Sequence, residues 1–407
     1  MNRILVFLLL YSAVSFAGPK VQVGAEVLIA KRLDLLKGKR VGVVCNHTAV
    51  LWNGVHLVDT LLALGIHLTA LYAPEHGIRG QAGAGVEVGD SVDARTGLRI
   101  YSLYGGTRQP TAEMLGNVDV IVFDMQDAGT RFYTYLSTMT YVMMAGATYG
   151  KQVIVLDRPN PINGLDIEGP VFEMTLTSFF GLFPVPIRHG MTFGEIATMI
   201  TKEGMINPAS VDLTVIPMEG WRRSMWFDET GRFWIAPSPN MKSVATATVY
   251  PGTCLFEATN ITEGRGTPKP FEYIGGPAID KEHLADRLNK FKLPGVVFEP
   301  VDFTPRTDAV AAPNPKFRDK ECHGVYVKVT NRRKYRPVLT GFMMLAAFQE
   351  LYPKQFEVRQ GYLDRLIGDE LVSQRLITGK LGEGIFSVFR KDLAHYREVR
   401  KKYLLYR

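Results

Sequence analysis

The sequence predicts an α/β protein, a Rossmann-like parallel sheet domain followed by a smaller α+β domain. Three observations predict it. In the first half, short runs rich in β-branched residues alternate with segments that are apolar at helical spacing. The runs are apolar throughout, not at every second position, as strands of a parallel sheet covered on both faces are. After a stretch rich in Pro and Gly the alternation gives way to a different order: helix, strand, strand, helix. A length of 407 residues is also more than one core ordinarily holds.

The elements are justified in chain order. Residues 1–17 have the form of a signal peptide: Arg3, then an apolar core over 4–11 too short to span a bilayer, then the small residues Ser15 and Ala17 at the cleavage spacing. The mature chain is expected to start near Gly18 and to be exported, periplasmic or secreted. No Cys follows the site to carry a lipid anchor. "RVGVVC" (40–45), "HLTALY" (67–72), "VDVIVF" (118–123) and "VIVL" (153–156) read as four buried strands. "GVHLVDTLLALG" (54–65) and "TYLSTMTYVMMAGATYG" (134–150) read as the helices between them. "MTFGEIATMITKEG" (191–204) is a helix with Thr192 as N-cap and Glu195 three residues on, a capping-box spacing whose loss should cost about 1 kcal/mol or less. "VDLTVIPM" (211–218) adds a strand. Residues 221–270 read as long functional loops, so the catalytic domain extends over 18–270. The second unit, 271–407, has helices at 280–291 and 340–352, strands at 295–300 and 324–330, and a basic-faced helix in its tail from 390.

Composition narrows the function. The chain is 46% hydrophobic and 21% charged, which is globular. Its net charge of +7 is scattered, and no nucleic-acid motif accompanies it, so no nucleic-acid partner is expected. No further stretch suits stable membrane insertion. Three cysteines, Cys45, Cys254 and Cys322, are too few and too odd in number for a disulfide framework. One bridge is open, with no pair favoured.

Each of the four strands is followed at once by polar residues. Asn46 and His47 follow the first, and Glu75, His76 and Arg79 the second. Asp124, Asp127, Arg131 and Tyr133 follow the third; Arg158 and Asn160 follow the fourth. In open α/β sheets ligands bind outside the carboxyl ends of the strands, so these loops are expected to face one cleft. Arg188 and His189 before the capped helix, and Glu168, Glu263 and Arg265 in later turns, extend the set. No G-x-G-x-x-G follows the first strand, and "GAGVEVG" (83–89) has the wrong spacing. There is no Walker A sequence, no G-x-S-x-G elbow and no H-E-x-x-H helix. No metal ligand motif or cofactor fingerprint is present. Carboxylates dominate, which favours acid–base chemistry such as glycoside hydrolysis.

"PEHGIRG", "DMQDAGTRFYTY", "LDRPNPINGLDIEGP", "PIRHGMTFGEIA", "APSPNM", "YPGTCLFEATNITEGRGTPKPF" and "CHGVYVKVT" occur in that order. In these motifs the sequence resembles the NamZ-type exo-β-N-acetylmuramidases, a group long known only as a domain of unknown function. The resemblance runs from about Gly24 to the C-terminus. It implies an exported enzyme with a Rossmann-like domain that holds no nucleotide, a smaller C-terminal domain and an active site between them. It implies release of N-acetylmuramic acid from non-reducing ends of peptide-free peptidoglycan, so the expected partners are fragments with β-linked MurNAc-GlcNAc. It also implies that Glu75, in "PEHG", is the catalytic glutamate.

Glu75 is then expected to be the general acid, a role that calls for a raised pKa at neutral pH. Glu168, Asp127, Asp124 and Glu263 remain open as the second carboxylate. A separation of roughly 5–5.5 Å would mean retention and roughly 6.5–9.5 Å inversion, and a substrate acetamido oxygen is a further alternative. The lactyl carboxylate of muramic acid calls for an arginine. Arg188 and Arg158 lead among Arg79, Arg131, Arg158, Arg188 and Arg265. The alternative function is a non-catalytic periplasmic sugar or muropeptide binding protein, which would leave a muramic acid glycoside intact. An esterase or amidase ranks last, for want of a nucleophile.

Overall fold

The computed structural model describes residues 21–75, 77–80, 89–208, 210–378 and 389–407. The signal-peptide reading, His76 and all of "GAGVEVG" but its last glycine lie outside the described residues. Among the described residues no helix is long and apolar enough to cross a membrane.

A seven-stranded sheet forms the first unit. Its strands are β1 (Val41–Cys45), β2 (Leu68–Ala73), β3 (Ser91–Val92), β4 (Arg99–Ser102), β5 (Val120–Asp124), β6 (Gln152–Leu156) and β9 (Leu213–Ile216). Their order is β3-β4-β2-β1-β5-β6-β9, and only the β3–β4 pairing is antiparallel. Alternate residues serve opposite faces, as the pleat requires. Val41, Val43, Val120, Val122, Ile154 and Leu156 pack with helices α1 (Gly24–Lys31) and α2 (Leu57–Ala63). Val44, Ile121, Phe123, Val153 and Val155 pack with α3 (Tyr135–Tyr149) and α4 (Phe193–Lys202). Both faces are dry, which is why these strands read as unbroken apolar runs. A small antiparallel pair, β7 (Glu168–Val171) and β8 (Pro186–Arg188), lies beyond β6 in the chain.

One expectation fails. Residues 221–270 are not loop throughout: they contain α5 (Val244–Thr253), continued by a 3₁₀ turn over Cys254–Ala258. Pro251 and Gly252 near its end hide this helix from a reading based on breakers. Gly252 is there for contact, because a Cβ would sit 2.0 Å from the Pro337 carbonyl oxygen. That close approach seats α5 on α7 (Pro337–Leu351).

The second unit has an antiparallel sheet in the order β10-β12-β11, from β10 (Tyr273–Gly276), β11 (Val296–Phe303) and β12 (Cys322–Val329). Helix α6 (Lys281–Lys290) packs on β11 and β12. Helices α8 (Gln360–Ile367), α9 (Glu370–Ile377) and α10 (Arg390–Lys401) follow. Helix α10 turns back onto β7 of the first unit. Its Tyr396 hydroxyl donates to the His189 carbonyl at 2.8 Å, and Arg400 donates to the Gly164 carbonyl at 3.1 Å. All three cysteines are buried and unbridged.

Candidate active site

Glu75 stands two residues past β2, where Pro74 has stopped the strand. The glycines around it have a physical reason. Gly80 has φ +73, and a Cβ there would lie 2.6 Å from the His47 ring, so the loop closes on its neighbour only without a side chain. Thr134, just before α3, donates from Oγ1 to Glu75 Oε2 at 3.2 Å. Tyr104, just past β4, also bonds to Glu75; burial and this carboxylate together push its phenol above the ordinary tyrosine range.

These groups face a cavity of about 190 Å³. Glu75, Tyr104, Phe132, Tyr133, Thr134 and Tyr135 line it from the first unit. Glu257 and Arg265 line it from the segment that follows α5, and Phe271, Tyr362 and Leu366 from the second unit. The cavity therefore lies between the two units. Its second carboxylate is Glu257, at the turn that extends α5. Arg265 donates to Glu257 Oε1 at 3.2 Å from Nε and at 2.5 Å from an Nη, and the Tyr362 hydroxyl donates to Oε2 at 3.1 Å. Burial opposes the Arg265 charge, but Glu257 and Glu263 outweigh it and hold its pKa above the usual arginine value. Glu263 in turn accepts from Lys316 at 2.9 Å.

The other expected site residues are placed elsewhere. Glu168 accepts from Arg188 at 3.1 Å and from the Val338 amide at 3.2 Å, a strut between β7 and α7. Burial pushes its carboxyl up. Asp124 is fully buried and holds Arg158 through two bonds, 2.5 and 2.8 Å. Asp127 accepts from the Ala128 amide at 2.7 Å, and its other oxygen lies 3.3 Å from His189 Nε2. His189 Nδ1 accepts from the Met191 amide at 3.2 Å, so the ring proton belongs on Nε2, facing Asp127. None of these carboxylates lines the cavity with Glu75, and neither does Glu263.

The arginines are likewise sorted. Arg188 is spent on Glu168 and the Ile162 carbonyl, and Arg158 on Asp124. Arg79 pairs with Asp59 and Asp93 at 3.1 and 2.9 Å. Arg131 donates to the Leu366 and Ile367 carbonyls at 2.6 and 3.0 Å, and burial pulls its pKa down to about 9. Of the five candidates only Arg265 lines the cavity. Asn46 orders its own turn, accepting from Thr48. His47 Nε2 bonds to the Ala236 carbonyl at 2.8 Å, and Asn160 donates to the Met191 carbonyl at 2.9 Å. Tyr133 is the expected tyrosine that does face the cavity.

Glu257, Tyr104 and Tyr362 were not expected. Glu257 had a signal: it lies in "FEATNITEGRG", six residues before Glu263, and recognising α5 would have placed it one turn past a helix. The two tyrosines carry no local signal. Among the described residues no group of three or more His, Cys, Asp or Glu gathers to hold a metal. What the cavity offers is two carboxyl groups with unlike partners, Glu75 with the Thr134 and Tyr104 hydroxyls and Glu257 with the Arg265 guanidinium as well as the Tyr362 hydroxyl. That asymmetry suits an acid and an anion acting on one bond.

Comparison with known proteins gives the family and the fold. The family model described as exo-β-N-acetylmuramidase NamZ, N-terminal, matches residues 41–245, and its C-terminal counterpart matches 248–406. The peptidoglycan β-N-acetylmuramidase NamZ of Bacillus subtilis (strain 168) is 46% identical over 390 residues, 95% of this chain and 92% of that protein. Two crystal structures of DUF1343 family proteins from Bacteroides fragilis NCTC 9343 match with TM-scores of 0.88 and 0.79. They are 36% and 32% identical, each match covering 95% of this chain and 99% of the other.

Proposed function

The chain belongs to the NamZ exo-β-N-acetylmuramidase family, and from that premise we propose that it is a glycoside hydrolase that removes N-acetylmuramic acid from the ends of peptidoglycan glycan chains. The observation that carries the proposal is the cavity that brings Glu75 and Glu257 together between the two units. A small cavity walled by Tyr104, Phe132, Phe271 and Tyr362 suits a single terminal sugar, with aromatic faces against the ring.

In this reading Glu75 protonates the leaving glycosidic oxygen. Glu257, fixed by Arg265 and Tyr362, supplies the negative charge that the oxocarbenium-like transition state needs. Of the candidate arginines Arg265 alone lines the cavity, and its pairing with Glu257 and Glu263 makes it the group that fixes Glu257. The substrate is a peptide-free fragment with a non-reducing MurNAc-GlcNAc end, and the enzyme serves wall turnover and recycling. The leader at 1–17 supports export to the periplasm or medium.

The test is hydrolysis of a chromogenic N-acetylmuramic acid glycoside. Wild type should release the chromophore, and Glu75→Gln should fold normally and lose about 10²–10⁴-fold in turnover. A wild-type protein that binds this glycoside and leaves it intact is a binding protein, and the hydrolase reading then fails.

A further inference from the structure

A second cavity, of about 270 Å³, opens at the carboxyl ends of β1, β5 and β6, where Thr48, Gln126 and Arg158 line it. This is the point at which strand order reverses, with β2 and β4 to one side of β1 and β5, β6 and β9 to the other. Open α/β sheets bind ligands at that point. Glu75 and Glu257 are not in it. Residues 235–238 wall it off from the catalytic cavity, with Ile235 lining one and Ser238 the other. The wall is pinned by Tyr135, whose hydroxyl donates to the Pro237 carbonyl at 2.6 Å, and by the His47 bond to Ala236.

Two features say what this cavity takes. Its cations are already neutralised: Arg158 by Asp124, and Arg232 by Glu26 at 2.9 and 3.0 Å. With one ion pair buried and the other partly buried, both cations are already matched, which disfavours an anion, and the rest of the lining is uncharged and largely apolar, with Thr48, Asn53 and Gln126 as its polar groups. At the mouth, Trp52 is 40% and Phe233 81% exposed, although both are large apolar rings that gain nothing from water. Their planes lie within 11° of parallel with centroids 6.3 Å apart, so they present one flat orientation. Flat aromatic faces beside uncharged hydrogen-bonding groups are what a pyranose ring needs, apolar C–H on one face and hydroxyls at its edge.

We propose that this cavity is a second saccharide site that holds a neutral N-acetylglucosamine unit of the glycan chain away from the bond being cleaved. The proposal rests on the glycosidase reading for its choice of sugar. Such a site would let the enzyme stay on a long chain while the catalytic cavity works at the end.

The probe is N,N′-diacetylchitobiose, which has no muramic acid to be cleaved, titrated by calorimetry into the full-length mature protein. Wild type should bind it, Phe233→Ala and Trp52→Ala should each weaken binding about tenfold or more, and Glu75→Gln should bind as wild type. Phe233 is so exposed that its replacement leaves the fold intact and keeps the test readable even if Trp52→Ala misfolds. Absence of binding overturns the proposal. So does binding that both aromatic variants keep, or binding that Tyr362→Phe abolishes, which would put the disaccharide in the catalytic cavity. Quenching of Trp52 by inorganic phosphate but not by chitobiose overturns it in favour of an anion site. Turnover of the muramic acid glycoside is read separately. Its absence beside intact chitobiose binding would sink the hydrolase reading alone.

Discussion

Replacing Glu257 by Gln keeps the side chain's shape and removes its charge from between Arg265 and Tyr362. Turnover of the chromogenic glycoside should fall about 10²–10⁴-fold, with the melting temperature nearly kept because Glu263 still pairs with Arg265 at 3.3 Å. Glu263→Gln should do the opposite. It breaks a buried link between Lys316 and Arg265 behind the cavity, so stability drops while kcat changes less. Measuring kcat and thermal midpoint for both variants separates the two roles; equal losses of kcat would show that Glu263 also reaches substrate. The two glutamates also show what sequence reveals. The place of Glu75 on the cavity was legible because a proline stops its strand and glycines flank it. Glu257 was not, since its neighbours Arg265 and Tyr362 come from 8 and 105 residues away and only packing joins them.

Helix α4 begins as its spacing predicts: Thr192 Oγ1 accepts from the Glu195 amide, and Glu195 accepts from the Thr192 amide at 3.1 Å. The cost of losing Glu195 was nonetheless underestimated. Its other oxygen accepts from Arg223 at 2.5 Å and from the Leu405 amide at 2.9 Å, and the side chain is fully buried. Glu195→Gln should therefore lower stability by about 3–5 kcal/mol, the range for a broken buried pair, and denaturant melts check this. The same helix start holds Asp157, which accepts from Thr192 Oγ1 at 2.6 Å, the Gly194 amide at 2.9 Å and the Tyr406 hydroxyl at 2.5 Å. Burial pushes its carboxyl up to about 7, against these three bonds. A carboxyl with a folded pKa above its unfolded value holds its proton better in the fold. Its contribution is complete below about pH 4 and is lost as pH rises to 7. Asp157→Asn should flatten the stability profile between pH 4 and 7 relative to wild type. Parallel profiles in urea melts would refute the assignment.

For the molecule as a whole, the large sheet was legible because strands buried on both faces advertise themselves as continuous apolar runs. Edge strand β3 and its neighbour β4, with little or no burial, gave no such signal. The hairpin of β7 and β8 was hidden by Gly169 and Pro186. Cavities between units are the least legible, since no local pattern records which loops of one unit meet which turns of the other. The proposed export is tested on the whole chain. Expression with the native leader in a bacterial host should yield extracytoplasmic protein whose N-terminal sequencing starts at Gly18. Intact protein beginning at Met1 in the cytoplasm would contradict the leader reading.

The return of α10 and the tail to the first unit bears on how the chain is made. Tyr406 reaches Asp157 across a sequence separation of 249 residues, and Arg223 donates its amide to the Arg407 carbonyl at 2.9 Å. A ribosome delivers residues in order, so the sheet that emerges first waits for the tail before its outer layer closes. Until then Asp157 lacks its Tyr406 bond and Glu195 its Leu405 bond, and that part of the outer layer stays incomplete. A translocation channel threads unfolded chain, so the export proposed for this protein would gain from that delay.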